Sequence, residues 1–130
     1  MMKLWVFAGA VLGGLAVAAG SFGAHGLKDL LAANGQAANW ETGVRYAIFH
    51  AIALVAVGLF AGQPQTDASR PWLLAAGICF LLGTLIFSGF LGALALSGMR
   101  ILGAIVPIGG VLLLAGWAAL AVAALRVGAR

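Results

Sequence analysis

Two histidines and a tyrosine are the side chains of this sequence best suited to chemistry. His25 follows a long apolar run, whereas Tyr46 and His50 lie four residues apart within a second one. Side chains at that spacing share one face of a helix. An ionisable group inside hydrocarbon is a functional candidate, because leaving it without a partner is costly. The alternative is a neutral His50 that only hydrogen-bonds to Ser88, Tyr46 or a free carbonyl.

Glu41 and Arg45 lie beside this pair and are also four residues apart. Opposite charges at that spacing attract one another along one side of a helix. The sequence therefore predicts a Glu41–Arg45 ion pair close to Tyr46 and His50.

Pro107 is a further feature of interest, because it lies inside the last apolar segment. Proline has no amide proton, so in a continuous helix the carbonyl of Gly103 would lose its partner and the helix would bend. A freed carbonyl can accept a hydrogen bond from a side chain, a water or a ligand. The alternative is a bend that serves only the shape of the protein.

The sequence lacks the motifs of hydrolysis and phosphoryl transfer. It has no glycine-rich phosphate loop, no Cys-x-x-Cys pair and no paired carboxylates within an apolar segment. His25 and His50 are in principle haem or copper ligands, but no carboxylate is placed to orient either ring. We therefore expect a protein that is not an enzyme and has no cofactor or metal.

Composition indicates what must position these residues. Apolar residues make up 64% of the 130-residue chain and charged residues only 8%, against about half and about a quarter in a soluble domain. The net charge of +4 reflects the scarcity of acids, of which there are 3. Because the basic residues are scattered singly, no phosphate-binding stripe forms, and we expect no nucleic-acid partner.

Four long uncharged stretches predict four transmembrane helices. Each exceeds the roughly 20 residues that cross a hydrocarbon layer about 30 Å thick. A short polar segment rich in leucine between the first two predicts an interfacial helix. The fold class is therefore all-α, an integral membrane four-helix bundle formed by a single domain over residues 1–130. The predicted transmembrane helices cover residues 4–22, 40–62, 71–96 and 101–125.

The distribution of lysine and arginine predicts the orientation of the bundle. An even number of helices places both termini on one side, and that side carries one more basic residue than the other. We therefore expect both termini in the cytoplasm. The residues counted are Lys3, Arg70, Arg126 and Arg130 on the terminal side, and Lys28, Arg45 and Arg100 on the other.

Small residues predict where helices approach one another. Gly9 and Gly13 form a G-x-x-x-G pair, and Thr84, Ser88 and Gly92 recur every four residues. Both patterns allow close packing of helices in lipid. The contact is either within one chain or between copies, and the sequence favours neither strongly.

Depth along the helices suggests where a site would open. At 1.5 Å per residue, His50 lies about 9 Å below Val44 and Ser88 about 12 Å below Leu96. The polar side chains thus concentrate in the half of the membrane away from the termini. Any site is predicted to open on that side.

Several separated motifs carry a resemblance to a known family. They cover residues 20–27, 40–46, 49–51, 87–89, 107–110 and 115–117. Together they resemble the YgdD/YwdK family of small bacterial inner-membrane proteins, domain of unknown function 423, which is similar to eukaryotic transmembrane protein 256. The resemblance implies four helices and a bacterial plasma-membrane location, and it implies no activity.

Three functions remain open on the sequence. The leading one is non-enzymatic binding of a lipid-like molecule, a quinone or a lipid headgroup, in an outward-facing pocket. A second is a structural or accessory subunit that forms homo-oligomers or joins a larger membrane complex. A third is a small transporter or channel in which His50 is the protonation switch. The predicted binding residues are His25, Arg45, Tyr46, His50, Ser88, Gly103 and Pro107.

Overall fold

Four long helices and one short helix form the protein, which we describe from a computed structural model over residues 1–128. The four long helices are long and apolar enough to cross a membrane, which confirms the predicted all-α four-helix bundle. The short helix α2 is the predicted one between the first two spans. The helices are α1 (Met2–Ala24), α2 (Lys28–Ala33), α3 (Ala37–Ala61), α4 (Arg70–Ser97) and α5 (Val106–Leu125).

Pro107 begins a helix instead of bending one, so the predicted bend is wrong. A 3-10 turn over Arg100–Ala104 precedes α5, and Pro107 stands in the first turn of that helix. The first amides of a helix have no partner within it, so a missing N–H costs little there. The carbonyl of Gly103 is therefore not an acceptor released by a kink in a continuous helix.

The helices are arranged in the order α1, α3, α4, α5 across the bundle. α1 packs along α3, α3 along α4, and α4 along α5. We call the end of the bundle near residue 1 the terminal end, and the end that holds α2 the distal end. Arg130, which entered the predicted charge bias, lies outside the described residues.

The apolar core lies mainly toward the terminal end. Its members come from the first turn of α1, the second half of α3, the first half of α4 and the part of α5 from Leu113 onward, and large ones such as Phe80 are fully buried. This arrangement leaves the distal half of the bundle less tightly filled. The largest core side chains are Trp5, Leu54, Val57, Leu73, Phe80 and Leu113.

Glycines set the closest approaches between helices. A methyl group at Gly9 would lie 2.6 Å from the carbonyl oxygen of Ala51, and one at Gly13 would lie 3.6 Å from the Ala51 methyl group. The G-x-x-x-G pair therefore packs on α3 within the chain. On α5, a methyl group at Gly109 would lie 2.5 Å from the amide nitrogen of Phe87, a contact that the sequence did not indicate.

Side chains from the loops satisfy two helix C-termini. The Asn34 amide donates to the carbonyls of Ala95 at 3.0 Å and Leu96 at 3.1 Å, at the end of α4. The Ser69 hydroxyl donates to the carbonyl of Ala123 at 2.8 Å, near the end of α5. The last carbonyls of a helix have no partner within it. These bonds therefore fasten the connecting segments to the ends of the bundle.

Candidate functional site

An apolar groove lies between α1, α3 and α4 in the distal half of the bundle, and we call it the central groove. Its volume is about 210 Å³. Leu15 and Leu85 at its edge are exposed, so the groove is open toward lipid. Its lining contains no charged side chain; it comprises Leu12, Leu15, Ala16, Ala19, Trp40, Gly43, Val44, Ala47, Thr84, Leu85, Ser88, Gly89 and Gly92.

Two hydroxyl groups on the central groove lack hydrogen-bond partners. The oxygens of Thr84 and Ser88 are buried, and neither bonds to any group within the described residues. A buried polar group left unpaired costs about 1–3 kcal/mol. The two residues lie one helical turn apart on α4, and both line the groove.

Thr84, Ser88 and Gly92 were predicted as a packing stripe, and the structure places them along the central groove. The backbone of Ser88 does approach α3, since a methyl group at Gly43 would lie 3.4 Å from the Ser88 carbonyl oxygen. The tighter approaches on α4 are made elsewhere, at Gly77 and Gly83. These three residues therefore line the central groove, and Ser88 also packs moderately closely against α3.

Trp40 closes the distal end of the central groove. Its indole nitrogen donates to the carbonyl of Ala19 at 3.0 Å, which ties α3 to α1. Its ring lies against Gly23, where a side chain would collide with it, and 3.8 Å from the position of a methyl group at Gly92. The ring is thus held in one orientation by both a hydrogen bond and packing.

His50 lies in a separate, fully bonded cluster. Its Nδ1 lies 2.8 Å from the carbonyl oxygen of Tyr46, and its Nε2 lies 3.1 Å from the indole nitrogen of Trp117. A carbonyl only accepts and an indole N–H only donates, so the ring is neutral with its proton on Nδ1. Of the partners considered from the sequence, His50 bonds to Tyr46, through its backbone carbonyl, and not to Ser88.

Aromatic rings surround this histidine. The Phe80 ring centre is 5.5 Å from that of His50 and 5.0 Å from that of Trp117, and the ring of Tyr46 stacks on Phe87 at 4.4 Å. His50 is only 4% exposed. The cluster joins α3, α4 and α5.

His50 lies near the middle of the length of α3. At 1.5 Å per residue it is about 20 Å from Ala37 and about 17 Å from Ala61. The helix begins three residues before the predicted start at residue 40. The depth of His50 below the membrane boundary, counted from Val44, stays a prediction.

Trp117 is the functional candidate that the sequence reasoning missed. Tryptophan usually lies at the membrane interface. The position of Trp117 inside the last predicted span, 101–125, was the available signal, because an indole N–H within hydrocarbon needs an acceptor. His50 supplies that acceptor from a helix 67 positions earlier in the chain.

The predicted binding residues do not form one outward-facing pocket. Ser88 lies on the central groove, and Tyr46 and His50 belong to the aromatic cluster on the α5 side of α3. His25, Arg45 and Pro107 are exposed, and Gly103 lies near Leu94. The reason is that residues at similar depth project to different sides of their helices.

Glu41 and Arg45 form an ion pair at 3.0 Å, and both side chains are mostly exposed. An exposed pair of this spacing contributes about 0.3–0.5 kcal/mol. The pair therefore contributes little to the stability of the bundle.

Comparison with known proteins gives one family. Residues 19–110 match a family described as "Protein of unknown function (DUF423)". A UPF0382 membrane protein of Staphylococcus epidermidis is 42% identical over 126 residues, which cover 96% of this chain and 98% of the relative. The UPF0382 membrane protein YwdK of Bacillus subtilis is 38% identical over 128 residues, with 96% and 98% covered. No solved structure matches the chain.

Proposed function

Since the chain belongs to the DUF423 family and is a multi-pass membrane protein, we propose that it binds a lipid-like molecule in the central groove. The observation that carries the proposal is the pair of buried hydroxyls, Thr84 and Ser88, which have no partner among residues 1–128. A ligand oxygen that reaches these hydroxyls accepts a hydrogen bond from them. Binding then removes the cost of leaving both hydroxyls unpaired.

The lining of the groove favours a ligand with a neutral oxygen. No charged side chain lines the groove, and a charged headgroup there would lose its water without gaining an opposite charge. A carbonyl of a quinone has the required chemistry, because it accepts hydrogen bonds and carries no charge. Of the two ligand types expected from the sequence, the central groove therefore favours the quinone.

The size of the groove suits a single ring. A dry apolar cavity of about 150 Å³ is large enough to bind benzene, and the central groove has about 210 Å³. An isoprenoid tail attached to such a ring would leave past Leu15 and Leu85 into lipid. The ligand thus enters from within the membrane.

The same lining favours binding without catalysis. General acid–base catalysis requires a titratable side chain within hydrogen-bond reach of the reacting group. The residues of the central groove offer two hydroxyls and no titratable side chain. The proposed role is therefore that of a binding protein.

The other two functions expected from the sequence receive less support. Gly9 of the G-x-x-x-G pair is in contact with α3 of its own chain, so packing within the chain already accounts for this glycine. Both ring nitrogens of His50 are bonded within the chain, so a protonation switch would first have to break the bond to Trp117.

The test is the binding of decylubiquinone to the purified full-length protein in lipid nanodiscs, measured by calorimetry. Removing both hydroxyls in Thr84→Val/Ser88→Ala removes two hydrogen bonds of about 1 kcal/mol each, and affinity should fall about 30-fold. The control is Thr42→Val/Ser21→Ala, which removes hydroxyls of exposed or half-buried residues that do not line the groove. Equal affinity in the two double variants, or no binding to the unmodified protein, would overturn the proposal.

A further inference from the structure

A second pocket lies at the distal end, between the end of α1, α2 and the start of α3, and we call it the vestibule. It has a volume of about 350 Å³ and shares Trp40 and Val44 with the central groove. Unlike the central groove, it is lined by two charged side chains. Its residues are Gly20, Gly23, Ala24, Lys28, Leu31, Ala37, Trp40, Glu41 and Val44.

The two charges of the vestibule have opposite signs and different partners. Lys28 is exposed and has no carboxylate within 4.0 Å in the described part of the chain. Glu41 already accepts from Arg45 at 3.0 Å. A carboxylate has about four acceptor sites, so Glu41 retains the capacity to accept from a ligand. The vestibule thus offers a cation for a negative group and a carboxylate for a positive one.

The walls of the vestibule are held in place before any ligand binds. Leu31 is 2% exposed and anchors α2 to the bundle. Asn34 fastens the end of α2 to the C-terminus of α4, and the indole of Trp40 is bonded to Ala19. Binding therefore requires little further ordering of the protein, which favours affinity.

We propose that the vestibule binds the headgroup of phosphatidylethanolamine, with its phosphate at Lys28 and its ammonium at Glu41. The pocket lies at the ends of membrane-spanning helices, where headgroups are found, and tryptophan is typical of that level. The ligand class and the residues differ from those of the central groove, so this proposal goes beyond quinone binding.

Charge and hydrogen bonding select this headgroup among the common ones. Phosphatidylglycerol has a phosphate for Lys28 but no cation for Glu41. Phosphatidylcholine has a cation, but its quaternary ammonium has no N–H to donate. The ethanolamine ammonium donates directly to a carboxylate, and such charge-assisted hydrogen bonds are about twice as strong as neutral ones.

The test is native mass spectrometry of the full-length protein with equal amounts of 1-palmitoyl-2-oleoyl phosphatidylethanolamine, phosphatidylcholine and phosphatidylglycerol. The unmodified protein should retain phosphatidylethanolamine above the other two. Lys28→Gln and Glu41→Gln should each lower its retention about tenfold, because each removes one charge-assisted bond. Lys28→Arg, which keeps the charge, should restore it.

Two matched variants serve as controls. Lys3→Gln removes a cation at the terminal end, and Asp29→Asn removes a carboxylate that does not line the vestibule; both should leave retention unchanged. Equal retention of the three lipids, preference for phosphatidylglycerol, or vestibule variants that behave like these controls would overturn the proposal.

Decylubiquinone binding separates failure of this proposal from failure of the proposed function. Neither Lys28 nor Glu41 lines the central groove, so their variants should bind the quinone normally, which also shows that they are folded. Conversely, Thr84→Val/Ser88→Ala should keep the lipid preference. A variant that loses both ligands would contradict the assignment of two independent sites.

Discussion

At the scale of single residues, the His50 ring is fixed by one partner on its own helix and one on α5. Replacing Trp117 by Phe keeps an aromatic ring against Phe80 but leaves His50 Nε2 without its donor. We expect the free energy of unfolding to fall by about 1–3 kcal/mol, measured by reversible denaturation in mixed micelles. Trp72→Phe is the control, since the indole of Trp72 makes no hydrogen bond within residues 1–128 and its side chain is partly exposed. Equal losses in both variants would contradict the role of this bond.

For Thr84 we expect a substitution that raises the free energy of unfolding. Its hydroxyl is buried without a partner among the described residues, so Thr84→Val should stabilise the ligand-free protein by about 1 kcal/mol while weakening quinone binding. Thr42→Val removes a hydroxyl that donates to the Ala38 carbonyl at 2.9 Å, so it should not stabilise. The same micelle denaturation measures both. A loss of stability in Thr84→Val would mean that its hydroxyl has a partner in the ligand-free protein.

At the scale of helices, Gly109 sets the distance between α4 and α5. In Gly109→Ala the new methyl group would lie 2.5 Å from the Phe87 nitrogen and 2.8 Å from the Gly83 carbonyl oxygen. Because both atoms belong to the backbone, the helices must separate, and we expect a loss of about 1–3 kcal/mol in the free energy of unfolding.

Gly14→Ala is the matched control for this prediction. Nothing lies within 4 Å of a methyl group at Gly14, and alanine favours the helix by up to about 1 kcal/mol. Gly14→Ala should therefore be neutral or stabilising when measured alongside Gly109→Ala. If both substitutions had the same effect, the close approach of α4 and α5 would not limit the packing.

At the scale of the whole molecule, the two halves of the bundle differ. The terminal half holds the large core side chains, and Trp5 there is 3% exposed. The distal half holds the central groove and the vestibule. The sequence predicted this asymmetry, since polar residues cluster away from the termini. It did not predict that Ser88 on α4 lines the central groove whereas His50 on α3 contacts α5.

The sequence by itself determined the number of transmembrane helices and the ion pair within one helix. The thickness of hydrocarbon requires about 20 uncharged residues for each span, so helix number can be read from charge placement alone. The Glu41–Arg45 pair follows from a spacing of four residues within one helix. Helix starts were less certain, as the early start of α3 and the position of Pro107 show.

Only the tertiary structure decided which helix faces meet. In lipid the buried and the exposed faces of a helix are both apolar. The hydrophobicity of a residue therefore does not indicate which face of the helix packs against a neighbour. The sequence therefore carries little signal for partners such as His50 and Trp117, which lie 67 positions apart. The unpaired hydroxyls of Thr84 and Ser88 became evident only once the helices around them were placed. For the same reason, the sequence predicted one pocket formed by His25, Arg45, His50 and Ser88. The packing of the helices places these residues at different sites.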